Sequence, residues 1–389
     1  MTDFDEYIRQ GDPDRREKGA AWQVAIGLQA VDGLKPSAYL IETARKDIEG
    51  EITIDEAEQL IKSYYQSKTL RTPEDEQSHE ADKASLNIRR ILSENTFAFS
   101  LVGLTSIHRR IFDGIYKFAG RIRDYNITKK EWVLRGDTVL YVSAPDIKSA
   151  VEYDLEQERQ FDYSKVDRNG FVRHISKFVS DLWQIHPFGE GNTRTTAVFS
   201  IQYLRSMGFN IDNTLFADNS WYFRNALVRA NYQNVQKGIM RNTEYLELFF
   251  RNLLLGENNE LRNRYLLVNP PASLQTQVDT PTSTPTSTPT STPISSQDIL
   301  MTDNANIIRL IRAIADKRLS IREILPMVGL KDRENFIEYS LNPAIRDGFV
   351  AMLYPDKPRH PRQKYILTPK GFALLNEICP TFWKEDQGK

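Results

Sequence analysis

The sequence predicts a mainly α protein: a small N-terminal helical unit, a larger helical core with one β-hairpin, and a C-terminal unit of helices around a second hairpin. Three observations carry this. Apolar residues before position 269 recur mostly at three- and four-residue spacing, a helical rather than a strand period. A Thr/Ser/Pro run from Thr280 to Pro293 breaks the chain where no core can form. The 389 residues suffice for two or three domains, each burying its own core.

Composition narrows the class. Lys and Arg total 51 against 52 Asp and Glu, a net charge of −1, which excludes a globally basic nucleic-acid binder and leaves local patches to be read separately. The single cysteine, Cys379, permits no internal disulfide and no Cys-rich zinc site, so the fold is expected to rest on packing in a reducing compartment. The start, MTDFDEYIRQGDPDRREKG, is acidic where an export signal has a basic start and an apolar run. Apolar stretches such as FFRNLLL (249–255) fall far short of the roughly 20 residues that span a bilayer. A soluble, cytoplasmic protein with no membrane partner is expected.

Taken in order, residues 1–70 form the first unit, with helices expected at 22–31, 36–48 and 54–66, separated by Asp32-Gly33 and Glu49-Gly50. The charged stretch 71–82, RTPEDEQSHEAD, reads as a connector into a core spanning 71–268. Within that core, Phe97, Leu101, Leu104, Ile107, His108 and Ile111 share one helix face. Phe171, Ile175, Phe178, Val179, Leu182 and Ile185 share another. Between them, WVLRGDTVLYVS (132–143) has two β-prone runs about Arg135-Gly136-Asp137, so a hairpin is expected there. Pro145 then suits the opening of a helix through Ile147, Val151 and Leu155.

Residues 269–298 form an extended, solvated linker with Pro281, Pro285, Pro289 and Pro293 at even spacing. Beyond it, 299–389 should hold a helix at 303–316, a second opened by the capping box Ser320-Ile321-Arg322-Glu323, and a third from Asp332 to about Asp347. VAMLY (350–354) and KYIL (364–367) flank a basic loop, and Thr368-Pro369 caps a closing helix.

The chemistry concentrates in His186-Pro187-Phe188-Gly189-Glu190-Gly191-Asn192-Thr193-Arg194, between two apolar helices. A Gly-rich turn feeding a helix N-terminus binds anions, because its amide N–H groups lack partners and the helix dipole favours negative charge. Arg194 adds a cationic fork one turn in. Glu190 offers a hard oxygen suited to Mg²⁺, and His186 can accept a proton near neutral pH.

This stretch resembles the signature of the Fic family, H-P-F-x-[D/E]-G-N-G-R-x-x-R, over roughly residues 95–256. The resemblance implies a Fic-type helical core with a β-hairpin flap, and transfer of AMP from ATP to a Ser, Thr or Tyr hydroxyl of a target protein. It implies His186 as the general base, Glu190 as the Mg²⁺ ligand, and Gly189, Gly191, Asn192, Thr193 and Arg194 as nucleotide-binding positions, with Phe188 anchoring the loop. Thr138, Val139, Leu140 and Tyr141 match the flap that clamps the target by strand pairing. Tyr222, Phe223 and Asn231 match the lining of the adenine pocket, or else are helix core. Two positions depart: Thr193 stands where the signature has its third Gly, and Ala197 where it has the second Arg. Doc, a Fic-fold kinase that transfers the γ-phosphate, departs at the same places, so kinase-like transfer is the alternative.

The N-terminal unit resembles a Vbh-type antitoxin fused in the same chain. Its inhibitory motif, [S/T]-x-x-x-E-[G/N], falls on Leu28-Gln29-Ala30-Val31-Asp32-Gly33, which puts Asp32 at a degenerate inhibitory position. With Ala197 removing that motif's arginine partner, a weakened or purely steric switch is expected. The C-terminal unit resembles winged-helix modules, whose wing would offer Lys357, Arg359, His360, Arg362 and Lys364 to DNA phosphates. Asp332, Glu334 and Glu338 on the preceding helix argue against strong base readout, and such modules also bind protein. A regulator that senses nucleotide through a degenerate core and binds DNA is the competing class.

Overall fold

A computed structural model describes residues 4–68, 72–94, 96–209, 211, 214–268, 302, 304–330, 332–358 and 360–378. The Thr280–Pro293 run, Arg359 and Cys379 lie outside them. The protein is mostly helical, and no described helix is long and apolar enough to cross a membrane.

The first unit comprises α1 (Asp5–Gln10), α2 (Pro13–Gly27), α3 (Ala38–Glu49) and α4 (Ile54–Gln66). It has its own core of Phe4, Trp22, Leu40, Ala44, Ile48, Ala57, Ile61 and Tyr65. α2 serves two cores: Trp22 faces this one, while Ala21, Val24 and Ala25, followed by Leu28 just past its end, pack into the main core. A 3₁₀ turn, Leu28–Asp32, ended by Gly33 at φ 72°, delivers Gln29 and Asp32 toward the main core.

The segment read as a connector is instead the start of a long helix, α5 (Pro73–Leu92). Thr72 and Asp75 form a capping box, Pro73 occupies the first turn, and Glu74, Asp75 and Glu76 complement the helix dipole. The charge that suggested a solvated connector is the solvent side and N-terminal turn of an amphipathic helix. Its other face buries Ala81, Ala84, Leu86 and Ile88. Asp82, fully buried, accepts hydrogen bonds from the Ser37 N–H and hydroxyl and from Tyr65, tying the first unit to this helix.

The main core continues with α6 (Leu101–Ile111), α7 (Ile147–Gln160), α8 (Arg168–Ile185), α9 (Asn192–Ser206), α10 (Thr214–Asp218), α11 (Ser220–Asn231) and α12 (Glu244–Leu255). α9 is buried almost all round, from Asn192 to Leu204, so the site loop leads into the centre of the domain.

The hairpin expected at 132–143 does not form a strand pair. Trp132–Leu134 is a 3₁₀ turn, Arg135 and Gly136 both take positive φ, and the turn closes through Glu131 N–H to Asp137 carbonyl at 2.9 Å. The physical reason lies in the carbonyls that follow: Gln184 takes that of Leu140 and Arg123 that of Val142, where a strand would use a neighbouring backbone.

The C-terminal unit has the expected order: α13 (Ala305–Ile314), α14 (Ile321–Met327), α15 (Arg333–Phe336) running through a π turn into α16 (Asn342–Arg346), strands β1 (Val350–Met352) and β2 (Tyr365–Leu367), and α17 (Pro369–Ile378). β1 and β2 are antiparallel in the register Val350↔Leu367, Ala351↔Ile366 and Met352↔Tyr365. The π turn Ile337–Leu341 precedes Pro343, whose missing N–H deprives Tyr339 of a helical partner; that carbonyl accepts from Asn306 instead. This unit docks on the main core: Asn376 donates to the carbonyls of Ser164 and Val166 at 2.8 and 2.7 Å.

Candidate functional site

α8 ends at His186, whose backbone is left-handed at φ 52°, a strained conformation for a non-glycine residue. Its ring is buried, 4.1 Å from that of Tyr141 and 5.1 Å from that of Trp183 by centroid. Nδ1 lies 3.3 Å from the Trp183 carbonyl, an acceptor, so Nδ1 carries the hydrogen and Nε2 is left as the basic nitrogen. Burial, joined by the nearby Lys129 ammonium, holds the imidazole well below its usual range, and it stays neutral at physiological pH.

The loop after it is closed by Asn192: Phe188 N–H donates to its Oδ1 at 2.9 Å, and its Nδ2 donates back to the Phe188 carbonyl at 2.7 Å. Gly191, at φ 76°, starts α9 without a side-chain cap, leaving the first amides of the helix uncapped. At the position where the signature has glycine, the Thr193 hydroxyl accepts from Trp183 Nε1 at 3.0 Å, linking the end of α8 to the start of α9. The loop rests on His108, stacked on Phe188 with centroids 3.8 Å apart. Gly120 N–H donates to His108 Nδ1 at 2.8 Å, so Nε2 carries the proton and donates to the Glu190 carbonyl at 3.1 Å.

That arrangement needs a neutral His108, and burial pushes its imidazole down to about 4. The unfolded chain takes up this proton below about pH 6.5, so stability should fall as pH drops from there toward 4, by roughly 3 kcal/mol from this group. Urea unfolding of the wild type and His108→Gln between pH 7 and 4.5 checks it: the variant should lose less stability with acid.

Arg194 is enclosed and almost fully engaged. Its Nε lies 2.8 Å from Asp32, its amino groups donate to Gln29 and Glu80 at 2.9 Å each and to Tyr116 at 3.3 Å, and its guanidinium sits 4.7 Å from the centroid of Phe112. Asp32 therefore pairs with the first arginine of the motif. The small Ala197 is buried one turn further along and takes no part in this pairing. Glu190 is half-exposed, and its carboxylate pairs with Lys129 at 2.8 Å.

The structure brings together His186, Gly189, Glu190, Gly191, Asn192, Thr193 and Arg194, with Asp32 and Tyr141 against them. Of the flap positions, Val139 and Tyr141 are buried, Thr138 is half-buried, and Leu140 is 83% exposed. Tyr222, Phe223 and Asn231 sit in α11 with their groups already used inside the protein. Tyr222 donates to the Tyr245 carbonyl, Phe223 packs on Phe216 and Phe249, and Asn231 donates to Ser180 and Leu227. Sequence reasoning missed Gln29, Glu80, Tyr116, Arg123 and Lys129. Only Glu80 left a usable signal, since the Thr72-to-Asp75 capping box announces the helix that carries it.

Among the described residues no three His, Cys, Asp or Glu side chains form a metal cage. The exposed carboxylate of Glu190, beside the uncapped start of α9, is a donor that fits Mg²⁺, whose shell is largely water and phosphate oxygen.

Residues 98–204 match the Fic/DOC family, and residues 305–368 match the C-terminal domain of Filamentation induced by cAMP (Fic-like) proteins. Protein adenylyltransferase VbhT of Bartonella schoenbuchensis is 31% identical over 114 residues, 29% of this chain and 23% of that protein. Probable protein adenylyltransferase y4lH of Sinorhizobium fredii is 27% identical over 126 residues, 32% of this chain and 62% of its own. The chain thus spans less than two thirds of either relative. The crystal structure of a Fic family protein from Desulfovibrio desulfuricans aligns over 94% of both chains at 18% identity and a TM-score of 0.41.

Proposed function

The chain belongs to the Fic family, with its Fic/DOC domain at residues 98–204, and from that premise we propose that it is a protein adenylyltransferase moving AMP from ATP to a hydroxyl of a target protein. The observation that carries the reading is a neutral, oriented imidazole at His186, one short loop from a helix N-terminus with uncapped amides. His186 Nε2 takes the proton of the target hydroxyl, the oxygen attacks the α-phosphorus, and the bond to the β-phosphate breaks to release pyrophosphate. Amides of the Gly189–Thr193 turn and the guanidinium of Arg194 hold the α- and β-phosphates. Glu190, freed from Lys129, would hold Mg²⁺ against the phosphate oxygens, and the ion when bound supplies neutralisation of their charge. Leu140, exposed and held through its carbonyl by Gln184, is the flap residue available to a target chain.

The test uses ATP labelled at the α- or the γ-phosphate with wild type and His186→Ala. Protein labelled from the α-position only, falling by about 10²–10⁴-fold in the variant, supports AMP transfer. Label from the γ-position supports the kinase reading. Neither label, with salt-sensitive retention on DNA lost when Lys357, Arg362 and Lys364 are neutralised, supports the regulator.

A further inference from the structure

Arg123 is 5% exposed, and every hydrogen bond of its guanidinium goes to a backbone carbonyl. Nε donates to His186 at 2.8 Å, one amino group to Tyr125 at 2.7 Å, and the other to Val142 at 2.5 Å and Ile185 at 3.3 Å. Its own backbone N–H donates to Pro187 at 2.9 Å. One side chain thus grips the last turn of α8, His186 itself, its own loop segment and the far end of the flap segment. A buried cation is costly unless its donors are used, and a planar fork can satisfy several carbonyls that a single ammonium cannot.

The place of these bonds matters as much as their number. His186 holds a left-handed backbone, which persists only where the surroundings over-determine it. The Trp183 carbonyl fixes the imidazole from one side, and Arg123 fixes the His186 carbonyl from the other. Tyr141, whose ring lies 4.1 Å from the imidazole, is directly followed by Val142, which Arg123 also holds.

We infer that Arg123 is a positioning residue for His186: it locks the backbone that aims the imidazole and ties that backbone to the end of the flap segment, so that base and target-docking edge keep a fixed relation. This deepens the proposed AMP transfer and rests on it. Arg123 touches neither phosphate-binding residues nor the candidate metal ligand, so its removal acts on the chemical step and leaves nucleotide binding intact.

The experiment uses the full chain with Arg123→Lys and Arg123→Ala. Transfer from α-labelled ATP should fall 30- to 100-fold in kcat in both, with KM for ATP within twofold of wild type, and millimolar guanidinium should restore part of the rate to Arg123→Ala but none to His186→Ala. In parallel, nitrogen-15 NMR of the histidine side chains should show the His186 Nδ1–H of the wild type shifted or lost in Arg123→Lys. An unchanged kcat, a rise confined to KM, or an unmoved His186 signal overturns the inference. If the wild type itself transfers no α-label, the adenylyltransferase reading fails, and the NMR arm alone decides the positioning claim. If neither variant folds, exchange of the Arg123 Nε–H in the wild type decides: protection supports the clamp, and exchange as fast as that of a surface arginine overturns it.

Discussion

Asp32→Ala is expected to lower the melting temperature of the nucleotide-free protein by roughly 6–12 °C while raising transfer at low ATP by about tenfold. Arg194 is buried and faces two carboxylates, Asp32 at 2.8 Å and Glu80 at 2.9 Å, and also donates a hydrogen bond to Gln29. Removing one partner from a buried ion pair costs about 3 kcal/mol, because the remaining charge keeps its desolvation penalty. For a domain of this size each kcal/mol moves the melting temperature by about 2–4 °C. Under the proposed function the same contacts would compete with ATP, since phosphates could reach the guanidinium only by displacing carboxylate oxygens. Losing one competitor strengthens phosphate binding, and about 1.4 kcal/mol is enough for a tenfold change. Thermal melts with and without ATP, alongside α-label incorporation, measure both arms. If the melting temperature and ATP dependence of Asp32→Ala match those of the wild type, the Asp32 contact neither stabilises nor restrains. The neighbouring Glu80→Gln should act in the same direction and less strongly, because it retains a hydrogen-bond acceptor for Arg194.

Gly191→Ala should destabilise the protein by about 2–4 kcal/mol and abolish transfer. A Cβ at this position would lie 2.2 Å from both Cε2 and Cζ of Phe112, and the backbone φ of 76° is one that L side chains rarely adopt. The left-handed backbone costs about 1 kcal/mol or more, and overpacking a buried ring adds about 1–3 kcal/mol. Phe112 cannot yield cheaply, being fully buried, stacked on Tyr116 and placed under the Arg194 guanidinium. A shift there would move Arg194 and the loop together. Gly238→Ala is the matched control: its φ is 67° with nothing within 4 Å of a new Cβ, so only the conformational cost of about 1 kcal/mol remains. Urea midpoints at unchanged m measure both. Equal losses for the two variants would mean that the Phe112 contact carries no energy.

How much of this was legible beforehand varied from one element to the next. The helix through Phe171 and Ile185 and the glycine turn at Gly189–Asn192 that starts the next helix could be read because each depends on local pattern: a helical period, then glycines ahead of a helix start. α5 was misread because its first turns hold only charged and polar residues, while its apolar face begins at Ala81. The strands of the 132–143 segment were misjudged because β-propensity describes a half-buried pleated surface, and here the carbonyls are taken by Gln184 and Arg123.

The sequence by itself determined the order of units and the chemical inventory: His186, Glu190, Asn192 and Arg194 within nine positions, and a Thr/Ser/Pro run that offers nothing to bury. From Asp32 and Ala197, which both depart from the family's pair, it led to the expectation of a weakened or purely steric switch, whereas the structure pairs Asp32 with Arg194. Only the tertiary structure decided which arginine Asp32 meets, that Glu80 and Gln29 join it, and that Arg123 holds the backbone carbonyl of His186. The reason is physical: periodicity and capping are set within one or two turns of chain, whereas the partner of a buried charge is set by which distant helices pack together. Gln29 and Arg194 are 165 residues apart in the chain and 2.9 Å apart in space, a distance that no local pattern encodes.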